Sequence, residues 1–334
     1  MKENKLYLYS SSPHVKSPKT TKSIMIDVCI ALLPACVMGV VLFGLNAFLI
    51  IVTSLLSAVA SEFVYNLICK KSFKQTAKEF DFTSCITGLL IALSIGSQAP
   101  LYVPVLANVF AIIVVKMIFG GTGKNLVNPA ITGRIFVFIS FTAILSGGWI
   151  APSISSIFGG TSFDPTTSAT ILTNSLSGNA TLSMHPVDLL LGTGLYGCIG
   201  ETCKIALLLG AIYLAFRKVI NISYPIIYIA VTGLFSVALL GFDFNAFLPS
   251  ILTGGLFLGA FFMATDYTTT PNTTLGNVIY FAVLGLVTAG LRVATGIEVV
   301  SFAILLMNLF VPFFDKFIIP KPFGYKKNKK GKSI

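Results

Sequence analysis

Read for polar and apolar positions alone, the chain alternates long apolar stretches with short polar connections. The apolar segments run over roughly 24–43, 46–68, 83–97, 101–119, 131–149, 187–214, 223–241, 246–264, 277–294 and 298–315. A helix needs about 17–25 residues to cross about 30 Å of hydrocarbon, and each segment lies near that range except the third, which is short. The pattern predicts an all-α polytopic membrane protein with about ten transmembrane helices.

Ten spans divide into two sets of five, and an odd number per set inverts the second relative to the first. The third span carries "SCITGLL" from Ser84 and the eighth "SILTGGL" from Ser250, so Thr87–Gly88 recurs as Thr253–Gly254 about half a chain later. Short or Gly-interrupted segments at matching positions of inverted repeats frame buried sites near the midplane. The expected organisation is an N-terminal arm (1–23), a first five-helix repeat (24–149), a polar loop (150–186), a second five-helix repeat (187–316) and a basic tail (317–334).

Two connections end their apolar runs with Gly, Asn, Asp and Pro instead of lysines. They are "GGTGKNLVNPAITGR" (Gly120–Arg134) and "FMATDYTTTPNTTLG" (Phe262–Gly276). Non-helical backbone at membrane depth is tolerated where protein or a cavity satisfies it, and helix N-termini there offer N–H donors to anionic or carbonyl groups. Helix capping by Asn128 or Asp266 accounts for the same residues equally well.

Composition agrees with the pattern. Of 334 residues 55% are hydrophobic and 10% charged, with mean hydropathy +0.88, whereas a soluble domain carries about a quarter charged residues. The net charge of +11 would suit nucleic acid, but the basic residues flank apolar runs. They lie in the arm (Lys2, Lys5, Lys16, Lys19, Lys22), in the second connection (Lys70, Lys71, Lys74, Lys78), between spans four and five (Lys116, Lys124, Arg134), after span six (Arg217, Lys218) and in the tail. That is the distribution of cytoplasmic loops. It excludes nucleic-acid binding and predicts a multi-pass protein of the cytoplasmic membrane with both termini inside. From Ile135 to Cys203 there is no Lys or Arg, which places the 150–186 loop on the outer side. The six Cys form no CxxC and read as structural thiols in apolar helices.

Ionisable residues within spans are functional candidates. Glu201 and Lys204 are three apart, suited either to neutralising each other or to relaying ions; Asp266 is the other ion-coupling candidate. Asp27 reads as interfacial, and Arg292 and Glu298 as anchors at the outer end of the last hairpin.

Four motifs carry a family resemblance: "GxGxNxxNPA" (Gly121–Ala130), "LLLGxxxxGCIGETC" (Leu189–Cys203), "GAFFMATD" (Gly259–Asp266) and "EVVSFAILLMN" (Glu298–Asn308). Together, and in this order, they resemble the NqrB/RnfD family of membrane subunits in ion-translocating electron-transport complexes. Arm and length are similar to the RnfD branch. The resemblance implies FMN esterified to a Thr hydroxyl in a D-x-x-[ST]-G-A-T loop. Here Asp164, Thr167, Ser168, Ala169 and Thr170 match, with Ser168 in place of the usual Gly, so Thr170 is the implied attachment residue. Asp164 and Thr167 then present the loop to a flavin transferase, with Thr166, Thr167 and Thr173 as rival attachment sites. The resemblance also implies the A, B, C, E and G subunits of an Rnf complex as partners. It further implies coupling of NADH/ferredoxin electron transfer to Na+ or H+ movement, and a second, non-covalent flavin (riboflavin) near Asn128. The chain has no CxxCxxC and no GxGxxG run, so iron–sulfur and NADH chemistry would belong to partners; no metal site is expected. The alternative from another class is a secondary transporter without a redox cofactor.

Overall fold

A computed structural model describes residues 19–70, 72–146, 190–192, 197–242 and 244–319, and among these the secondary structure is entirely helical. Helix α1 (Thr21–Phe43) starts where the Thr20 hydroxyl accepts from the Ser23 amide and stops at Gly44, whose φ of +72° turns the chain directly into α2 (Leu45–Ile68). A short α3 (Phe73–Glu79) leads to α4 (Thr83–Leu93). Helix α5 (Tyr102–Val109) continues into π-helical turns over Phe110–Met117. Asn128 then caps α6 (Pro129–Ser140), which is followed by α7 (Thr142–Ser146). The second half contains α8 (Lys204–Phe216), α9 (Ser223–Leu239), α10 (Phe247–Leu252), α11 (Leu256–Leu258, continuing as π-helical turns over Gly259–Met263), α12 (Thr274–Thr295) and α13 (Val300–Phe317).

Four of these, α1, α2, α12 and α13, are long and apolar enough to cross a membrane, and α4, α5 with its π extension, α6, α8 and α9 are shorter apolar helices. Three expected spans differ from the sequence reading. The third is helical only to Leu93, and the eighth, expected as one helix, breaks at Thr253–Gly255. Gly254, at φ +69°, takes a conformation that glycine adopts without strain. The sixth, expected over 187–214, has its long helix only from Lys204 onward; residues 197–203 just before it are irregular and, from Cys198 on, buried.

The outer surface is apolar, and polar residues are sealed within a largely apolar core. Leu33 and Val37 of α1 and Leu209 and Phe216 of α8 face outward, while Ser54, Asn108, Thr232 and Thr288 are sealed inside. That is a membrane protein's arrangement, apolar to lipid and polar groups paired internally. Asn108 of α5 donates to Ser54 O (3.0 Å) and Ser57 Oγ (3.0 Å) of α2, and Ser54 Oγ donates to Gly88 O of α4 (2.7 Å). In the second half Tyr228 of α9 and Thr288 of α12 meet hydroxyl to hydroxyl at 2.8 Å. Helices α1 and α8 join the halves. A Cβ on Gly210 would collide with the Ala31 carbonyl, so the two backbones touch there.

Candidate functional site

The broken helices bring a set of charges to one buried place. Gly200 N donates to Leu93 O (2.8 Å) and Ile199 N to Ile95 O (3.1 Å), so the irregular "GCIGETC" stretch (197–203) packs across the end of α4. This holds Glu201 beside α6, where Arg134 Nη2 pairs with its carboxylate at 3.3 Å. Arg134 also donates to Ser301 Oγ of α13 (2.6 Å) and lies 3.9 Å from Cys198 Sγ. Lys204, first residue of α8, donates to the backbone carbonyl of Glu201 and to Gly254 O (3.0 Å) in the break between α10 and α11.

Arg292 completes the group. It is fully buried, donates to Ser250 O (2.7 Å) and Thr253 O (3.4 Å), and holds both oxygens of Glu298 at 3.1 and 2.8 Å. Glu298 Oε1 in turn accepts from Val300 N at the start of α13 (3.3 Å). A continuous helix would give Ser250 O and Thr253 O intrahelical amide partners; here a guanidinium satisfies them, which is how backbone can break inside a membrane. The C-terminal end of α10 thus faces cations, the favourable sense for a helix dipole.

Several sequence expectations are corrected by this geometry. Glu201 and Lys204 do not neutralise each other side chain to side chain: Glu201 precedes the helix, its carboxylate goes to Arg134, and Lys204 reaches its backbone. Arg292 and Glu298 bracket the turn of the last hairpin as an ion pair, with Arg292 buried and Glu298 partly exposed. Arg134 and Lys116 are not loop charges. Lys116 lies in the π-helical turns and, with 3% exposure, donates to Glu62 Oε2 (3.1 Å) and Ser84 Oγ (3.1 Å), while Ser84 also donates to Glu62. Asp27 is 6% exposed and is paired with Arg217 (3.1 Å), itself half exposed at the end of α8, and with Tyr213 (3.1 Å). Lys116 and Arg134 are legible in the sequence as interior residues, because each falls inside an apolar run.

The two Gly/Asn/Pro connections meet in a second polar centre. Asn125 Nδ2 donates to Thr268 Oγ1 (2.9 Å), and Asn128 Nδ2 donates to Met263 O (3.0 Å), a carbonyl at the end of the π-helical turns. Asn128 Oδ1 accepts from Ala130 N (3.0 Å), so both ends of this amide are engaged in capping and cross-linking. Asp266, the other ion-coupling candidate, accepts from Thr268 Oγ1 (2.9 Å) and Thr269 Oγ1 (3.4 Å). Asn308, with its amide turned to satisfy both ends, accepts from Asn128 N (3.2 Å) and donates to Thr269 O (3.3 Å) and the Tyr280 hydroxyl (2.9 Å). Glu201 and Asp266 therefore occupy different centres. Asp164, Thr167, Ser168, Ala169 and Thr170 lie outside the described residues, and among the described residues no cluster of His, Cys, Asp and Glu could hold a metal.

Comparison with known proteins bears on what these centres serve. The model of the NQR2, RnfD, RnfE family matches residues 8–324. The chain is 36% identical to the D subunit of the Na(+)-translocating ferredoxin:NAD(+) oxidoreductase complex of Acetobacterium woodii, covering 96% of each chain. It is 34% identical to the D subunit of the proton-translocating ferredoxin:NAD(+) oxidoreductase complex of Clostridium ljungdahlii, over 96% of this chain and 97% of that one. To the D subunit of the ion-translocating oxidoreductase complex of Halorhodospira halophila it is 28% identical, over 94% of both.

Proposed function

The chain belongs to the NQR2, RnfD, RnfE family, and on that premise we propose that it is the D subunit of an Rnf-type complex, a redox-driven ion translocase exchanging electrons between ferredoxin and NAD. The relatives' shared description as parts of such complexes, across nearly full-length alignments, carries this reading. Its partners are the A, B, C, E and G subunits of the complex, with a flavin transferase acting during maturation. The secondary-transporter alternative has no relative among these to support it.

The proposed topology is ten spans in two inverted five-helix repeats, multi-pass in the cytoplasmic membrane with both termini inside. Its support is the recurrence of packing partners: α2 lies on α4 and α5 as α9 lies on α10 and α12, and α1 meets α8 across the middle. The stretch from 135 to 203, which holds neither Lys nor Arg, supports an outer loop over 150–186.

On that loop Thr170 is the proposed attachment point of FMN, with Asp164, Thr167, Ser168 and Ala169 forming the motif around it. The bound flavin would supply one- and two-electron transfer, which side chains do not provide. A phosphoester tether needs no basic phosphate clamp, in keeping with a loop free of Lys and Arg. The second, non-covalent flavin is proposed in the bundle near Asn128, contacted by backbone groups, since that amide is engaged. Of the two ion-coupling candidates, Glu201 is the better placed, at the break after α10 and tied through Arg134 to Ser301 of α13.

The test is flavin fluorescence of the denatured polypeptide on a gel under ultraviolet light, after maturation in a host carrying the transferase. The wild-type band is expected to fluoresce and the Thr170→Ala band to be dark. A colourless wild-type band would overturn the cofactor assignment, and a fluorescent Thr170→Ala band would move the attachment to Thr166, Thr167 or Thr173.

A further inference from the structure

Among the described residues, the charges around the broken helix do not balance. Arg134 is matched by Glu201 and Arg292 by Glu298, each within hydrogen-bonding distance. Lys204 remains as a third cation, 1% exposed, and among the described residues its hydrogen-bond partners are two backbone carbonyls, Glu201 O and Gly254 O. The chain is shaped to bring negative oxygens to this point. A Cβ on Gly254 would collide with Glu298 Oε2, and one on Gly255 would lie 2.5 Å from Glu201 Oε1, so both carboxylates close in on the glycine pair whose break exposes the carbonyl. Exposed carbonyls of an interrupted helix, with carboxylates nearby, make up the oxygen environment in which transport proteins hold alkali cations. Here the side chain of Lys204 supplies the positive charge.

We infer that the carbonyl oxygens of Glu201 and Gly254 form a monovalent-cation site whose resident occupant is the Lys204 ammonium, and that a translocated cation crosses this level of the membrane by taking its place. Charge is conserved in the exchange: the ammonium gives one proton to water, leaving a neutral amine, as one cation binds the carbonyls. The cluster carries the same charge before and after, which keeps the exchange from leaving an uncompensated charge in hydrocarbon. Only the transport half of this inference rests on the proposed role in an ion translocase.

The binding half is tested without turnover, using Na+ as the probe on the purified complex. Lys204→Ala empties the site. Its thermal midpoint is expected to fall in choline chloride and to be restored as NaCl replaces choline at equal ionic strength, whereas wild type responds equally to the two salts. Lys204→Arg is expected to respond as wild type, because a guanidinium stays protonated and in place. An identical response of Lys204→Ala to the two salts overturns the site. If Lys204→Ala does not assemble, Lys204→Met, which keeps the side-chain volume, is read in the same way. For transport, Lys204→Arg in membrane vesicles is expected to keep flavin fluorescence while Na+ or H+ uptake per NAD reduced falls roughly tenfold or more. Equal retention of uptake and electron transfer would overturn the displacement step. A colourless polypeptide would sink the redox reading but leave the salt comparison standing, so the two failures are distinguishable.

Discussion

The helix carrying Ser84 and the one carrying Ser250 share S-x-x-T-G, yet one runs on and the other breaks. In α4 the motif is followed by Leu89, and the helix continues to Leu93 with Thr87 bonded to Thr83 O in the ordinary i−4 manner (3.1 Å). In α10 the motif is followed by Gly255; Thr253 becomes extended, Gly254 turns to positive φ, and helix resumes at Leu256. Each motif is clamped by a buried ion pair, but to different ends. Lys116 and Glu62 hold the Ser84 hydroxyl, a side chain at the start of α4. Arg292 holds the Ser250 and Thr253 carbonyls, the backbone that the break leaves open. A second glycine allows the break, and a guanidinium on the freed carbonyls maintains it. The first half keeps a plain helix, while the second gives up helical continuity for a cation-facing gap.

The largest effect should come from removing the cation of each clamp. Arg292→Met leaves the partly buried Glu298 carboxylate without its cation and two carbonyls unpaired; losing one partner of a fully buried pair costs roughly 3–5 kcal/mol, somewhat less where the carboxylate is partly exposed, and each orphaned carbonyl adds about 1–3 kcal/mol. Lys116→Met leaves the Glu62 carboxylate facing Ser84 but frees no backbone carbonyl. We expect Arg292→Met to abolish or nearly abolish assembly and Lys116→Met to give a folded but less stable complex, read as yield and thermal midpoint after purification. A Lys116→Met loss equal to or greater than that of Arg292→Met would show that the break does not depend on its guanidinium.

How much of this is legible in the chain can be traced to particular residues. The apolar segments mark the helices well because lipid imposes length and composition on each of them. The Gly/Pro surroundings of Asn128 and Asp266 locate them as capping or loop residues, and S-x-x-T-G points to the third and eighth segments. What spacing does not carry is partnership. Arg134 and Glu201 are far apart in sequence, and their pairing depends on how α6 crosses the irregular 197–203 stretch. Lys116 and Arg134 count by sign with the loop lysines, although both fall in apolar runs. Arg292 and Glu298 are legible as hairpin-end charges, but not the burial of Arg292 or its hold on the Ser250 and Thr253 carbonyls. The flavin loop, read from the resemblance, lies outside the described residues and stands on the motif alone.

A more moderate effect is expected at the glycine that distinguishes the two motifs. Gly255→Ala adds a Cβ 2.5 Å from Glu201 Oε1, so the carboxylate that Arg134 holds must shift. Small-to-large changes in packed sites cost about 1–3 kcal/mol. Gly88→Ala in α4 meets the Ala58 Cβ at 2.9 Å and Ser54 O at 3.0 Å, a penalty of the same order that touches no charge. The distinguishing readout is therefore ion uptake relative to electron transfer: Gly255→Ala should lower that ratio, and Gly88→Ala should leave it unchanged while lowering the midpoint. A lowered ratio in Gly88→Ala would mean that the continuous helix is as much a part of the ion path as the broken one.

The smallest effect is expected where the first clamp has an outer brace. Asp81 accepts from Thr83 N (3.1 Å), Thr83 Oγ1 (2.6 Å) and Thr122 Oγ1 (2.5 Å), which links the start of α4 to the turn after the π-helical segment. Burial alone would raise its pKa, but the hydroxyls of Thr122 and Thr83, with Lys116 nearby, outweigh it and hold the carboxyl below its ordinary value. A carboxyl with a depressed folded pKa contributes stability that is complete above the unfolded value of about 3.9 and is lost as pH falls through the folded value beneath it. Asp81→Asn should therefore lower the thermal midpoint by the equivalent of about 1 kcal/mol. The deficit should be constant between about pH 6 and 8 and should close only in acid below about pH 4. A deficit that already shrinks between about pH 6 and 7 would mean that Asp81 titrates high instead, and that its acceptor bonds are not what braces the first clamp.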